Sequence, residues 1–345
     1  MPRQAARSKT PSMKDVALRA GVSQTTVSFV FNNVADENSI PQETQDRVWE
    51  VVRELGYRPN SVARNLRSQR THTIGFISDD IATTPFAGQM IQGAQDLAWG
   101  NNKLILLVNT GRDKRMKFDA VEALLERQVD GIIYATMYHR QVEPPAAIYE
   151  TPTVLLDCFV SDRSLPSVVP DEITGGKLAT ETLIHRGHRR IGFIQNEDPI
   201  PAAFGRLQGY REALTANGLT FDESLVAAGT SDQHGGYFAA QALLGRSERP
   251  TAIFCFNDRM AMGAYQAAGE LGIAIPRDLA VVGFDNQETI SPWLRPALTT
   301  MQLPHYEMGQ WAAAFLIDMI AHPERDAGEP QQHKIACPLV ERMSA

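Results

Sequence analysis

The feature that most constrains the fold of this chain is a pair of matched strand series. The tetrapeptide Ile-Gly-Phe-Ile stands at 74–77 and again at 191–194, and each copy opens a run of short aliphatic segments separated by helical stretches. The first series runs through 74–78, 103–109, 131–135 and 152–157, the second through 190–195, 251–256 and 280–284. Strands alternating with helices indicate parallel sheets flanked by helices. A four-residue repeat is short, but its placement predicts two similar α/β lobes. In such folds small ligands bind in the cleft at the carboxyl ends of the strands.

Polar residues gather at those ends. Asp79 and Asp80 follow the first strand, and Pro85-Phe86 start the next helix. Asp157 ends the fourth strand, Asn257-Asp258 follow Phe256, Asp285-Asn286 follow Phe284, and Arg206 stands at the entry of a helix. Carboxylates, an amide and a guanidinium beside an aromatic face suit a polyhydroxylated ligand, whose hydroxyls both donate and accept. The plainer alternative is that Asp and Asn at strand-to-helix junctions are N-caps.

A different unit precedes the lobes. Residues 1–70 carry 11 Lys/Arg against 7 Asp/Glu, whereas the remainder carries 22 against 33, so a net charge of −7 conceals a basic head on an acidic body. Residues 1–11 lack periodicity and read as a disordered basic tail. Met13, Val16, Ala17 and Ala20 then recur at helical spacing until Gly21; Ser23 caps a second helix with Val27, Val30 and Phe31 inward. A third helix, starting near Pro41, places Val48, Val51, Val52 and Leu55 on one face and closes at Gly56. Three residues, Gly21, Val22 and Ser23, separate the two helices, which is helix-turn-helix spacing. The outer face of the second helix offers Gln24, Thr25, Thr26, Ser28 and Phe29, groups that can pair with adenine, reach phosphate or touch a thymine methyl in the major groove. An ordinary three-helix cap with a polar surface would show the same pattern.

The stretch Lys14-Asp15-Val16-Ala17, Ala20-Gly21-Val22-Ser23-Gln24-Thr25-Thr26-Val27-Ser28 and Asn32, followed by 55–66 (Leu-Gly-Tyr-Arg-Pro-Asn-Ser-Val-Ala-Arg-Asn-Leu), resembles the LacI/GalR family of bacterial transcriptional repressors. The resemblance covers essentially the whole chain after the tail. It implies base reading by Gln24, Thr25 and Phe29 and phosphate contacts from Thr26, Ser28 and Asn32. Phe29 departs from the Arg that many members use to read guanine, so operator rules built on that Arg do not transfer. It further implies a hinge helix contacting DNA through Asn60, Ala63, Arg64 and Leu66, with Leu66 wedged into a minor-groove step. A helix of two turns is not stable alone, so its order would depend on DNA and on the dimer. Effector contacts are implied for Phe86, Asp157, Arg206, Asn257 and Asp285, with Asp79 a further candidate from its place at a strand end. The position where some members stack a Trp on ligand is Ser231.

The expected organisation is a helix-turn-helix head at 12–58, a hinge at 59–70 and a periplasmic-binding-protein-like core at 71–345. Within that core the N-lobe spans about 71–168 plus 303–331 and the C-lobe 169–302 plus 332–345. The expected partners are near-palindromic double-stranded operator DNA, a carbohydrate effector and a second copy of the chain. No heptad extension follows Arg342, which favours a dimer over a tetramer. An effector-activated regulator answering to a nucleobase, and an intracellular solute-binding protein, remain the alternatives.

Other classes find little support. There is no G-x-G-x-x-G, P-loop, H-E-x-x-H or G-x-S-x-G motif, so no catalytic residue, cofactor or metal is expected. Cys158, Cys255 and Cys337 lie far apart, which fits a reducing cytoplasm. No apolar run approaches the ~20 residues that cross a bilayer, and no secretory signal follows the basic start.

Overall fold

The computed structural model describes residues 11–31, 34–58, 70–79, 87–111, 113–324 and 330–345 and divides into two units, Met1–Thr71 and His72–Ala345. The tail through residue 10, Asn32, the stretch 59–69 with Asn60, Ala63, Arg64 and Leu66, and Phe86 lie outside the described residues.

In the first unit, Ser12 caps helix α1 (Met13–Ala20) through a reciprocal capping box with Asp15, and Gly21 ends it in the left-handed region at φ 67°. The Ser23 hydroxyl accepts the Thr26 N–H at 3.0 Å to open α2 (Gln24–Phe31). Helix α3 (Gln42–Leu55) follows Pro41 and closes at Gly56, also left-handed. Val16, Val27, Val30 and Val48 fill the centre, and Phe31 packs edge-on against Trp49 and Tyr57. Between α2 and α3, Ala35 is buried and the Asp36 carboxylate accepts from Gln45 at 2.9 Å, which ties that loop to α3.

The second unit holds two sheets of six described strands each. The first comprises β1 (Thr73–Ser78), β2 (Leu104–Asn109), β3 (Gly131–Gln141), β4 (Thr153–Phe159), β5 (Ser167–Pro170) and a late strand, β11 (Gln332–Ile335), in the order β11-β5-β4-β3-β1-β2. The second comprises β6 (Ile191–Asn196), β7 (Val226–Gly229), β8 (Ala252–Cys255), β9 (Ala280–Asp285), β10 (Thr299–Gln302) and β12 (Leu339–Val340), in the order β12-β10-β9-β8-β6-β7. The pairings among these strands are parallel except that of β10 with β12. Helices α4 (Ala87–Gly100), α5 (Lys114–Glu126) and α10 (His305–Ala321) cover the first sheet; α6 (Glu172–His185), α7 (Pro201–Ala216), α8 (Gln233–Leu244) and α9 (Asp258–Glu270) cover the second.

Two sequence expectations shift. Strand β3 continues past Ala135 to Gln141, with a register change against β4 between Ala135 and Arg140. The expected lobe boundaries at 168 and 331 also move: Gln332–Ile335 pairs with Ser167–Pro170 in the first sheet, so the chain leaves that lobe near Asp171 and, finally, after Ile335. The chain therefore crosses between lobes at 170–172, 303–305 and 335–339.

Glycines set the helix spacing inside each lobe. A Cβ on Gly93 or Gly309 would collide with backbone across the α4–α10 pair, and one on Gly236 or Gly263 would do so across α8–α9. In the α6–α7 pair, a Cβ on Gly209 would meet the Ile173 carbonyl and the Lys177 amide, and one on Gly176 would meet the Arg206 carbonyl at 2.5 Å. These helices touch backbone to backbone. Gly209→Ala is therefore expected to lower stability by about 1–3 kcal/mol through overpacking. Gly269→Ala, with nothing within 4 Å of the added methyl, should be neutral or slightly stabilising. Equal thermal midpoints for the two variants would contradict this account of the seam.

Candidate functional site

A cavity of about 640 Å³ opens between the two lobes of the second unit. Met137, Tyr138, His139, Arg140, Asp157 and Pro170 line it from the first lobe. From the second come strand-end residues Asn196, Phe256, Asn257 and Asp285, the following segments at 198–200 and 230–232, and Glu172, Arg206 and Arg259 on helices. Leu303 and His305 line it from one of the crossings. The wall thus collects carboxyl ends of parallel strands, the position at which such folds hold ligands.

Arg206 forms the floor. It sits on the second turn of α7, 3% exposed, with its guanidinium 3.7 Å from the Phe284 ring centre and 4.4 Å from that of Phe256. Its Nε donates to Glu172 Oε2 at 2.7 Å and its Nη2 to Glu172 Oε1 at 3.4 Å. Its Nη1 donates to the Phe256 carbonyl at 2.5 Å and stands 3.5 Å from Asp285 Oδ1. The glycine seam makes this geometry: Gly176 lets α6 approach the backbone of Arg206, and a Cβ on Gly205 would strike the Glu172 side chain at 2.7 Å.

Asp157 and Asp285 both have left-handed backbones, φ 58° and 106°. Non-glycine residues held there cost of order 1–3 kcal/mol, and such strain clusters at binding sites. Asp157 is 2% exposed and its Oδ1 has no hydrogen-bond partner. Burial first, and the nearby Glu172 carboxylate second, push its carboxyl well above the usual range. Burial also raises Asp285 to about 7, against the pull of Arg206. Asn257 caps α9 by accepting from the Met260 amide at 2.8 Å, and its Nδ2 donates to the Ser231 hydroxyl at 2.8 Å. It serves the capping role and lines the cavity at once.

The structure gathers four of the six effector candidates around one cavity, Arg206, Asn257 and Asp285 from the second lobe and, on the facing first-lobe wall, Asp157. Asp79 stands behind that wall: its carboxylate pairs with Arg140, accepts the Met137 amide at 3.2 Å and is 4% exposed. Phe86 lies outside the described residues. Asp258 is neither cap nor lining; it is fully buried and accepts from the Gln287 amide and the Ser291 and Thr300 hydroxyls at 2.6–2.7 Å, and burial lifts it to about 6. Sequence reasoning missed Glu172, Arg140, His139, Asn196, Asp232 and Arg259. Glu172 follows β5, a strand of only four residues, and Arg140 lies on the unexpected extension of β3.

In the first unit, Gln24 and Thr25 are exposed, while Thr26, Ser28 and Phe29 are half-buried on α2. The Thr26 hydroxyl lies 2.9 Å from that of Ser23. The first turn of α2 thus leaves Gln24 and Thr25 as its freest side chains, at the end of the helix that reaches base edges in a helix-turn-helix.

The buried acids tie stability to pH. Asp258 and Asp285 have folded values raised above their unfolded ones, so their contribution is complete below about pH 4 and is lost as pH rises through about 6 and 7. Burial lowers His139 and His305, His305 to about 3, and these act oppositely as pH falls below their unfolded value near 6.5. Between pH 6.5 and 8 the ligand-free protein should lose thermal stability, and Asp285→Asn should lose less. Parallel melting curves for the two across that window would exclude the assignment.

Among the described residues no His, Cys, Asp or Glu group is placed to hold a metal ion, and no helix is long and apolar enough to cross a membrane. Residues 71–343 match the family described as periplasmic binding proteins and sugar binding domain of LacI family, and residues 12–60 match bacterial regulatory proteins, lacI family. The ribose operon repressor of Escherichia coli is 34% identical over 337 residues, 97% of this chain and 99% of that protein. The HTH-type transcriptional repressor PurR of Edwardsiella ictaluri is 34% identical over 336 residues, 96% of each chain. The crystal structure of the lac repressor dimer bound to operator and the anti-inducer ONPF superposes with a TM-score of 0.75 at 26% identity, covering 97% of this chain and 99% of that one. Head, two-lobed body and both matches along one polypeptide agree, and the chain belongs to the LacI family of bacterial transcriptional regulators.

Proposed function

We propose that this protein is a transcriptional repressor that binds a near-palindromic operator as a homodimer and is controlled by a small molecule, a carbohydrate, held in the interlobe cleft. The observation that carries the reading is the pairing of a helix-turn-helix unit with a buried, strand-end cleft whose floor is a guanidinium among carboxyl groups. Carboxylates and a guanidinium that converge on one cavity recognise hydroxyl groups, each of which donates and accepts. Gln24, Thr25 and Phe29 read bases, Thr26, Ser28 and Asn32 meet phosphates, and Asn60, Ala63, Arg64 and Leu66 form the hinge contacts. Asp157, Arg206, Asn257 and Asp285 hold the effector, with Phe86 a further contact implied by the family and Asp79 acting through Arg140. No step of bond-making is assigned to these residues; the protein regulates rather than catalyses, in the cytoplasm where its operator lies.

The dimer has a ready seat on the first lobe. Strand β2 is the edge of its sheet, and Leu104 and Leu107 are 55% and 41% exposed. Met116 and Phe118, on helix α5, are also exposed. An apolar edge strand of this kind must be covered or it recruits other chains. The double substitution Leu104→Lys, Leu107→Lys should shift the protein toward monomer in sedimentation and weaken operator binding, with the melting transition retained. An unaltered sedimentation profile would place the interface elsewhere.

A second reading, a nucleobase co-repressor, is favoured by the purine repressor relative at the same identity. Fluorescence anisotropy with operator fragments selected by the full-length protein separates the readings. A repressor neutralising six to ten phosphates should lose about 10³–10⁵ in affinity between 50 and 200 mM salt. Release of the fragments by a sugar supports the first reading, whereas tightening by a purine base, with no response to sugars, establishes the second. A flat salt dependence would reduce the protein to a solute binder.

A further inference from the structure

Resting on the carbohydrate reading of the cleft, we infer that Glu172 sets the charge preference of the site. By holding Arg206, it leaves a carboxyl-lined floor that accepts ligand hydroxyl or ammonium donors and refuses carboxylate or phosphate groups.

The guanidinium at the floor is already engaged. Glu172 takes its Nε and one Nη2 hydrogen in a two-point contact, the Phe256 carbonyl takes an Nη1 hydrogen, and Asp285 stands 3.5 Å from the same nitrogen. The faces of the ion are closed by Phe256 and Phe284. Three of its five N–H groups are hydrogen-bonded within the protein and Asp285 pairs with the ion at Nη1, so the arginine that would otherwise grip an anion is largely committed to the protein itself. Arg140, more exposed, donates through one Nη2 hydrogen to Asp79. Arg259 retains a buried Nε without a hydrogen-bond partner, but the fields of Asp232 and Asp285 bear on it.

The balance of groups points the same way. Asp157, Glu172, Asp198, Asp232 and Asp285 line the cavity with Arg140, Arg206 and Arg259, and Asp79 backs it: six carboxyl groups to three guanidiniums, although burial pushes Asp157 and Asp285 toward the neutral form, so these two add acceptor oxygens more than charge. His139 and His305 are held toward neutrality by burial. Asp157 is the decisive member, because it is 2% exposed, lines the cavity and presents an oxygen with no partner. A buried, unsatisfied carboxyl oxygen is costly until a donor reaches it, and a ligand in the cavity can bring one. An added anion brings only acceptor oxygens to a wall already rich in them, and the ionised carboxylates among them repel it at low dielectric. Glu172 stands on the first turn of α6, directly after the chain crosses from the first lobe, so the contact that commits Arg206 is made at a lobe crossing.

The test uses the full-length protein, with thermal shift and calorimetry against matched probes: D-ribose, D-glucose and D-galactose, D-glucosamine and D-galactosamine, and D-gluconate, D-glucuronate and ribose 5-phosphate. The expected result is that whichever neutral or amino sugar binds does so at least tenfold more tightly than its acidic counterpart. Glu172→Gln, which frees Arg206 and removes a negative charge, should shrink that ratio by about tenfold, close to the worth of one charge-assisted hydrogen bond. Asp157→Asn, which keeps the shape, should weaken an amino sugar more than its neutral parent. An acidic sugar that binds the wild type as tightly as its neutral partner would overturn the inference while leaving the carbohydrate reading intact. An unchanged ratio in Glu172→Gln, with the variant folded by its melting curve, would also overturn it. Silence from every probe would remove the carbohydrate reading and this inference with it.

Discussion

The body of this protein is organised around one buried cation. The Arg206 guanidinium has almost no access to water, and such an ion is tolerated only when carboxylates and hydrogen bonds replace its hydration. Glu172, Asp285 and the Phe256 carbonyl do so, while Phe256 and Phe284 supply polarisable faces. Stripping a partner from a buried ion pair typically costs about 3–5 kcal/mol. The positions of α6, α7 and the ends of β8 and β9 are therefore fixed together, and the floor of the cleft is a preformed surface.

That rigidity has a counterpart at the crossings. Three short segments join the lobes, near residues 171, 304 and 337, and two of them carry buried polar groups, Glu172 and His305, that also line the cavity. A ligand that contacts both lobes acts on the same residues about which the lobes would turn. Its differential affinity for the open and closed arrangements is all that can shift the equilibrium between them. The cleft and the pivot are one locus, which makes effector chemistry and domain motion hard to separate by mutation.

Much of this was legible in the residues. The helix-turn-helix could be read from Ser12, Gly21, Ser23 and Gly56, because caps and stops are local signals carried by single side chains. The central strands were legible as aliphatic runs. What escaped was set by distance. Strands β5, β11 and β12 are two to four residues long and exist only because a neighbour pairs with them. Glu172 carries no local signal; its role depends on Arg206, 34 positions away, brought near by glycines that no periodicity flags. Asp258 had the right type and neighbourhood for a ligand contact, yet its partners Ser291 and Thr300 turn it inward to brace the core.

The glycine seams bear on how such a regulator can change over time. Inside each lobe the paired helices admit no added methyl at the seam, so drift there is closed to almost every side chain. Away from Glu172, Arg206 and Arg259, the cavity wall is built by contrast from strand tips and the short turns after them, where a new residue alters chemistry without moving a helix. A frame frozen at its joints, edged by replaceable tips, can acquire a new chemical vocabulary while its mechanics are inherited unchanged.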